Sequence, residues 1–201
     1  MSNVLVIHSS ILGAYSQSSK LLDTFSIEWQ EKHPTDSIVI RDLVGEPLPV
    51  LDGEVLGALS GGNDSNENQK EIASLSLKLI DEIKAANYVV IAVPMYNFGI
   101  PVQLKMWFDL ICRAGITFSY TQTGSIGLLT GKKVLLVTTT GGVHRNTATD
   151  LALAHAQTVL GFIGLSDITV AYAESLARGP DAQVAGLNEA IQTIKSFASS
   201  H

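Results

Sequence analysis

Tyr88-Val89-Val90-Ile91-Ala92-Val93 runs directly into Pro94-Met95-Tyr96-Asn97-Phe98-Gly99-Ile100-Pro101. The residues before Pro94 form a continuous apolar run, long enough for a strand and too short for a helix. The segment after the loop, residues 103–112, reads as a helix with Pro101 at its first position, where a missing N–H costs nothing. A polar and aromatic loop thus sits between a buried strand and a helix. That is the carboxyl end of a parallel strand, where open α/β sheets hold their ligands.

The rest of the chain repeats this alternation. Residues 4–7, Val4-Leu5-Val6-Ile7, are a short apolar run of the kind buried on both sheet faces. Further strands are predicted at 37–40, 133–140 and 168–171. Helices are predicted between them: one carrying Leu22, Phe25 and Trp29 and ending near His33-Pro34, and one with the stripe Ile72, Leu75, Leu79 and Ile83. A third is capped by Thr149-Asp150 and runs to about Leu160. The last starts near Pro180-Asp181, with Val184, Leu187, Ile191, Ile194 and Ala198 on one face. Residues 45–59 read as loop closing in a short helix, and 60–66 as the most flexible stretch. Residues 117–120 and 126–129 flank Thr121-Gln122-Thr123-Gly124-Ser125 as an inserted β-hairpin. The predicted class is α/β: a three-layer, doubly wound parallel sheet of five strands with a β-hairpin inserted near 117–129. Periodicity does not give strand order. Five strands suit 2-1-3-4-5, since the six-strand dinucleotide fold needs more chain.

Bulk composition narrows the function. At 201 residues the chain reads as one domain with a full core. Nineteen acidic against 13 basic residues give a net charge of −6, which argues against nucleic acid or an anionic membrane as partner. One cysteine, Cys112, excludes an internal disulfide and fits a reducing compartment. No apolar run approaches the ~18 residues of a membrane span. The N-terminus enters a strand with no basic segment and long apolar run before it, so no export signal is expected. These features predict a soluble, cytoplasmic protein.

In the predicted fold the ends of strands one, three and four converge. The first end carries His8-Ser9-Ser10-Ile11-Leu12-Gly13-Ala14-Tyr15-Ser16-Gln17-Ser18-Ser19, which matches neither the dinucleotide fingerprint nor the nucleotide P-loop. It offers Ser10, Ser16, Ser18 and Ser19 beside a helix start, hydroxyl and amide donors at the positive end of a dipole. A single such serine is most simply a helix cap, but four in one loop point to a phosphate. The second loop, Met95-Tyr96-Asn97-Phe98, offers an aromatic, an amide and backbone N–H groups to the edge of a planar heterocycle. Plain packing is the competing reading for its aromatics. The third, Thr139-Thr140-Gly141-Gly142, lets backbone approach a ligand closely. His144 beyond it is either structural or a donor to developing negative charge.

Ser16-Gln17-Ser18, Pro94-Met95-Tyr96-Asn97-Phe98 and Thr139-Thr140-Gly141-Gly142-Val143-His144, in this order and spacing, resemble the bacterial FMN-dependent NADH azoreductases, also called FMN-dependent NADH:quinone oxidoreductases. The resemblance extends over the chain and includes Val50-Leu51-Asp52-Gly53-Glu54 and Leu160-Gly161-Phe162-Ile163-Gly164. It implies a flavodoxin-like fold and a homodimer with one non-covalent FMN per subunit at the interface. It implies two-electron, ping-pong transfer from NADH through FMN to quinones or azo compounds, two cycles cleaving an azo bond to two amines. Ser10, Ser16, Gln17 and Ser18 would hold the phosphate. Pro94, Met95, Tyr96, Asn97 and Phe98 would line the isoalloxazine, and Thr139, Thr140, Gly141 and Gly142 its pyrimidine side. Asn97 and His144 are the candidates for catalytic roles, His144 near N1 and O2 of the ring. Phe118, Tyr120 and Phe162 would reach the acceptor pocket, in their own subunit or the neighbour's. No metal is implied.

The dimer has a second argument, because helices 103–112 and 149–160 look apolar on too many sides for a surface. One position departs from the family pattern. Members carry an arginine after Gly57-Ala58-Leu59, and Ser60 stands there, which leaves acceptor range and the choice of NADH or NADPH open. The rival reading is a flavodoxin-type electron carrier; a third is an interaction module without flavin.

Overall fold

The computed structural model describes residues 1–61 and 66–201. Most of the stretch expected to be flexible, 62–65, lies outside the described residues. The chain runs through β1 (Asn3–His8), α1 (Gln17–Lys32), β2 (Ser37–Asp42), α2 (Gly53–Ser60), α3 (Glu67–Ala85), β3 (Tyr88–Pro94) and α4 (Val102–Ile111). It continues through β4 (Phe118–Thr121), β5 (Gly124–Gly127), β6 (Lys133–Thr139), α5 (Leu151–Phe162), β7 (Asp167–Ala173) and α6 (Pro180–Ser199). Five strands make one parallel sheet in the order β2-β1-β3-β6-β7, the predicted 2-1-3-4-5.

The apolar runs are continuous because both sheet faces are covered and successive side chains alternate between them. Val4, Val6, Val90, Ala92, Leu135 and Val137 pack with Phe25 and Trp29 of α1 and Ile194 and Phe197 of α6. Leu5, Ile7, Val89, Ile91, Val134 and Leu136 pack on the other face with Ile80, Ile83, Trp107 and Leu160. Val6 pairs with Ile40 on one side and Val90 on the other. The chain therefore leaves β1 first toward β2 and later returns to β1's other edge. That reversal opens a crevice between the carboxyl ends of β1 and β3.

Local details differ from the sequence expectations. Pro101 is the N-cap of α4, at φ −55° and ψ 143°, and the helix starts at Val102; the extended Pro101 turns its carbonyl to accept from Lys105 N at 3.0 Å. Asp150 occupies the N-cap of α5 without a side-chain cap; its carboxylate accepts from the Tyr172 hydroxyl at 3.4 Å, and the Thr149 hydroxyl bonds His144. The hairpin turn is only Gln122-Thr123, with Thr121 paired to Gly124. Val184 faces solvent.

The largest correction concerns α4. Leu104, Met106, Trp107, Phe108, Leu110 and Ile111 are all buried within one protomer. Buried Ser76 of α3 donates to Leu110 O at 2.6 Å on one side, and Phe108 meets His155 of α5 on another, ring centres 6.1 Å apart. Apart from Val102 at its first position, which stays exposed, its apolar circumference is used up inside the subunit and gives no argument for a partner. Helix α5 is different, since Leu151 and Phe162 stay exposed at its two ends.

Candidate active site

Loops from the carboxyl ends of β1, β3 and β6 enclose a cavity of about 230 Å³. From the first loop Ser10, Ser16, Gln17 and Ser18 line it; from the second Pro94, Met95 and Tyr96; from the third Thr139, Thr140 and Gly141. Asn97, Phe98 and Gly142 lie beyond its wall. A larger hollow, about 630 Å³, runs along β2 and α3 at the amino ends of the strands. No strand-end loop reaches it, so volume alone does not mark the site.

Ser16 does what a lone serine before a helix is expected to do: its Oγ accepts from Ser19 N at 3.0 Å. It also lies 3.2 Å from Ser18 Oγ, and both serines are buried. One hydroxyl proton can serve that contact, leaving the second for a ligand. The first-turn N–H groups of Gln17 and Ser18 have no acceptor within the helix by geometry. Capping and anion binding are thus compatible in one loop. Ser10 ties it to the second loop, its Oγ 2.8 Å from the Tyr96 hydroxyl.

The second loop is a two-residue reversal. Tyr96 and Gly99 exchange both backbone hydrogen bonds at 3.0 Å, and Asn97 and Phe98 between them have φ of 50° and 67°. This is a type I′ geometry, which asparagine tolerates and phenylalanine does not. The left-handed region costs Phe98 about 1–2 kcal/mol, although the side chain is 52 % exposed and little packing holds it there. Phe98→Gly is expected to raise stability by about 1 kcal/mol while weakening ligand binding. Thermal melts and a ligand titration check the two signs separately; lowered stability would contradict the strain.

Met95 N donates to Thr139 O at 3.0 Å, joining the second loop to the third. The third is held in turn by a segment that sequence reasoning missed, the end of β7. Leu176 N and Ala177 N donate to Thr140 O and Gly141 O, both at 3.1 Å, and Ser175 N to Gly142 O at 2.9 Å. Leu176, Ala177 and Gln183 complete the cavity wall, as do Leu12 and Tyr15 of the first loop. The rule that singled out three strand ends applies equally to β7's and could have found it.

His144 stands at the cavity's outer edge. Its ring meets Phe98 edge-on, with centres 5.8 Å apart, and a Cβ on Gly142 would come 3.0 Å from its Nε2. Glu174 fixes the backbone here, Oε1 accepting from His144 N at 2.5 Å and Arg145 N at 2.8 Å. Beyond it, burial and then the Asp150 charge push the Tyr172 hydroxyl up to about 12. Burial, with repulsion from Glu174, also raises Asp150.

Phe118, Tyr120 and Phe162 come together but outside this cavity. Phe118 lies 4.3 Å from Phe162 and 5.4 Å from Tyr120, ring centre to ring centre. Phe118 lines a separate hollow with Leu56, Ser60, Cys112 and Arg113. Burial and then the Asp109 charge push the Cys112 thiol there up to about 11, so it stays protonated at neutral pH.

A family model described as "Flavodoxin-like fold" matches residues 2–198. An FMN-dependent NADH:quinone oxidoreductase of Tolumonas auensis is 70 % identical over 201 residues, all of both chains. This chain belongs to that family. Among solved structures, an azoreductase from Bacillus anthracis Sterne superposes with a TM-score of 0.92 at 26 % identity, covering all of both chains. An FMN-dependent NADH-azoreductase from the Ames Ancestor strain, solved in complex with FMN, gives 0.89 at 26 % identity over 100 % of this chain and 99 % of that one.

The family's cofactor can be tested against the residues present. A flavin mononucleotide needs an anion cradle and, beyond it, a flat polar-edged slot. The Ser16–Ser18 pair at the start of α1 supplies the first. Tyr96, Thr139 and Thr140 border the second, with the unpaired edge of the Asn97-Phe98 turn beside it. The donor set fits. Among the described residues no cluster of His, Cys, Asp and Glu could hold a metal, and no helix is long and apolar enough to cross a membrane.

Proposed function

We propose that this chain is an FMN-dependent NADH:quinone oxidoreductase that also reduces azo compounds. It works as a single flavodoxin-like domain over residues 1–201, paired as a cytoplasmic homodimer. The observation that carries the reading is convergence: a buried hydroxyl pair at a helix N-terminus, Tyr96 beside the left-handed turn, and Thr139 to Gly141 line one cavity, with His144 at its outer edge. FMN, when bound, would supply two-electron chemistry by accepting hydride from NADH and passing electrons on to quinone or azo nitrogen. The residues supply position and charge. Ser16, Ser18 and the α1 N-terminus hold the phosphate; Ser10 steadies Tyr96 against the ring. Asn97 and Phe98 offer turn amides to the ring's polar edge, and His144 faces its pyrimidine side across Gly142.

The dimer is supported by what one subunit lacks. The cleft in one protomer is open, with a volume of about 230 Å³ against the usual 300–1,000 Å³ of a small-molecule site, which fits a second protomer completing it. Leu151, Phe162 and Tyr120 lie exposed and could close the site in a second copy, where Phe118, Tyr120 and Phe162 would form the acceptor wall. Ser60 hydrogen-bonds Leu56 O in its own helix at 2.8 Å, so no cation at that position grips an acidic acceptor.

The test is direct. The purified protein is expected to be yellow, to bleach rapidly with NADH under anaerobic conditions, and to recover on adding a quinone. A yellow protein that stays oxidised would favour an electron carrier, and a colourless one that binds no FMN would remove the reading. Sedimentation should give a dimer; a monomer at all concentrations would remove the interfacial site.

A further inference from the structure

The loop that carries His144 contains a closed chain of side-chain hydrogen bonds whose protons can be counted. Thr147 Oγ1 lies 2.7 Å from the His144 carbonyl. A carbonyl cannot donate, so the Thr147 proton points at it. Thr147 Oγ1 is also 2.8 Å from Thr149 Oγ1. With its own proton committed, Thr147 must accept there, and Thr149 donates. Thr149 N, at 3.3 Å, fills the second lone pair of Thr147. Thr149 Oγ1 is finally 2.8 Å from His144 Nδ1. Its single proton is already used, so it can only accept from an Nδ1–H. The reverse assignment would leave two oxygens 2.8 Å apart with no proton between them.

We infer that Thr147 and Thr149 lock His144 in the Nδ1–H tautomer, leaving Nε2, the nitrogen beside Gly142, as the atom that gains and loses a proton. Both threonines are positioning residues. The consequence rests on the proposed function. A neutral His144 presents only a lone pair from Nε2 to a ligand in the crevice, so it donates there only after taking up a proton. If FMN occupies the crevice, Nε2 would be the atom that takes up a proton to meet the negative charge its reduction adds. The charged and titratable groups around the ring are Glu174 at the end of β7, Asp150 at the start of α5, and Arg145. Arg145 pairs with Glu189 of α6 at 2.7 Å and lies 4.5 Å over the Tyr172 ring.

The tautomer is read without cofactor by nitrogen–proton NMR of the histidine side chains, assigned through His144→Asn. Wild type is expected to show protonated Nδ1 and bare Nε2 at high pH. Thr149→Val and Thr147→Val should each release the ring to the Nε2–H form, and Thr149→Ser should restore the lock. An Nε2–H signal in wild type, or Nδ1–H surviving in both valine variants, overturns the inference. With FMN bound, the midpoint potential of wild type should fall with pH more steeply than that of Thr149→Val, by up to one proton per two electrons. That difference is tenfold per pH unit in the equilibrium constant, about 30 mV. Equal slopes overturn the proton coupling. Failure to bind FMN at all would instead sink the functional reading and leave the tautomer result standing.

Discussion

Gly127→Ala is expected to destabilise the protein by about 3 kcal/mol, the upper end of over-packing costs. A Cβ at Gly127 would lie 2.0 Å from Gly164 N and 2.3 Å from Ile163 C, both backbone atoms. Neither side can retreat easily. Gly164 holds φ 103°, and Leu129 N donates to Ile163 O at 2.9 Å directly beside the contact. The two glycines let the β4–β5 hairpin press against the end of α5, which is what brings Phe118 onto Phe162. For a chain of this length each kcal/mol moves the melting midpoint by about 2–4 °C, so a fall of roughly 6–12 °C is expected in thermal melts. Gly161→Ala is the control, because a Cβ there meets nothing within 4 Å. A Gly127→Ala midpoint equal to wild type would show that the hairpin is not seated as described.

Ser16→Asp is expected to leave the fold intact and to weaken FMN binding by at least a hundredfold. Aspartate is as good an N-cap as serine, keeps an acceptor for Ser19 N, and is favoured by the α1 dipole. The new carboxylate, however, stands where the phosphate would sit. Two charges about 4 Å apart at an effective dielectric near 20 repel by about 4 kcal/mol, a thousandfold in affinity before solvent screening reduces it. Ser16→Asn caps equally without charge and should lose no more than about tenfold. Riboflavin lacks the phosphate, so its affinity should be nearly the same in wild type and Ser16→Asp. Fluorescence titration with both flavins reads the difference; an equal loss for both would place the phosphate elsewhere.

The strands and the general site were legible because their signals are local. Residues 88–93 are apolar without interruption since each side chain meets a covered sheet face, and that pattern is written in consecutive positions. The serine loop, Met95 to Phe98 and Thr139 to Gly142 could be singled out because each follows such a run. Other features were hidden because they depend on residues far apart in the chain. Helix α4 looked too apolar for a surface, but nothing in its own sequence says that α3 and α5 cover it. Gly127 and Gly164 are ordinary turn glycines until they touch. The reversal at Asn97-Phe98 was hidden for another reason, since phenylalanine is a poor predictor of a left-handed residue.

The sequence by itself determined the class of fold, the strand ends that line the cavity, and the residue types gathered there. Tertiary structure decided how those ends meet. The Ser10–Tyr96 bond, β7's grip on Gly141 and Gly142, and Glu174 beneath His144 each join residues about 30 to 90 positions apart. Hydrophobic periodicity specifies which faces are buried, whereas strand order and register specify which polar atoms come within 3 Å. Only the second can say which nitrogen of His144 holds a proton.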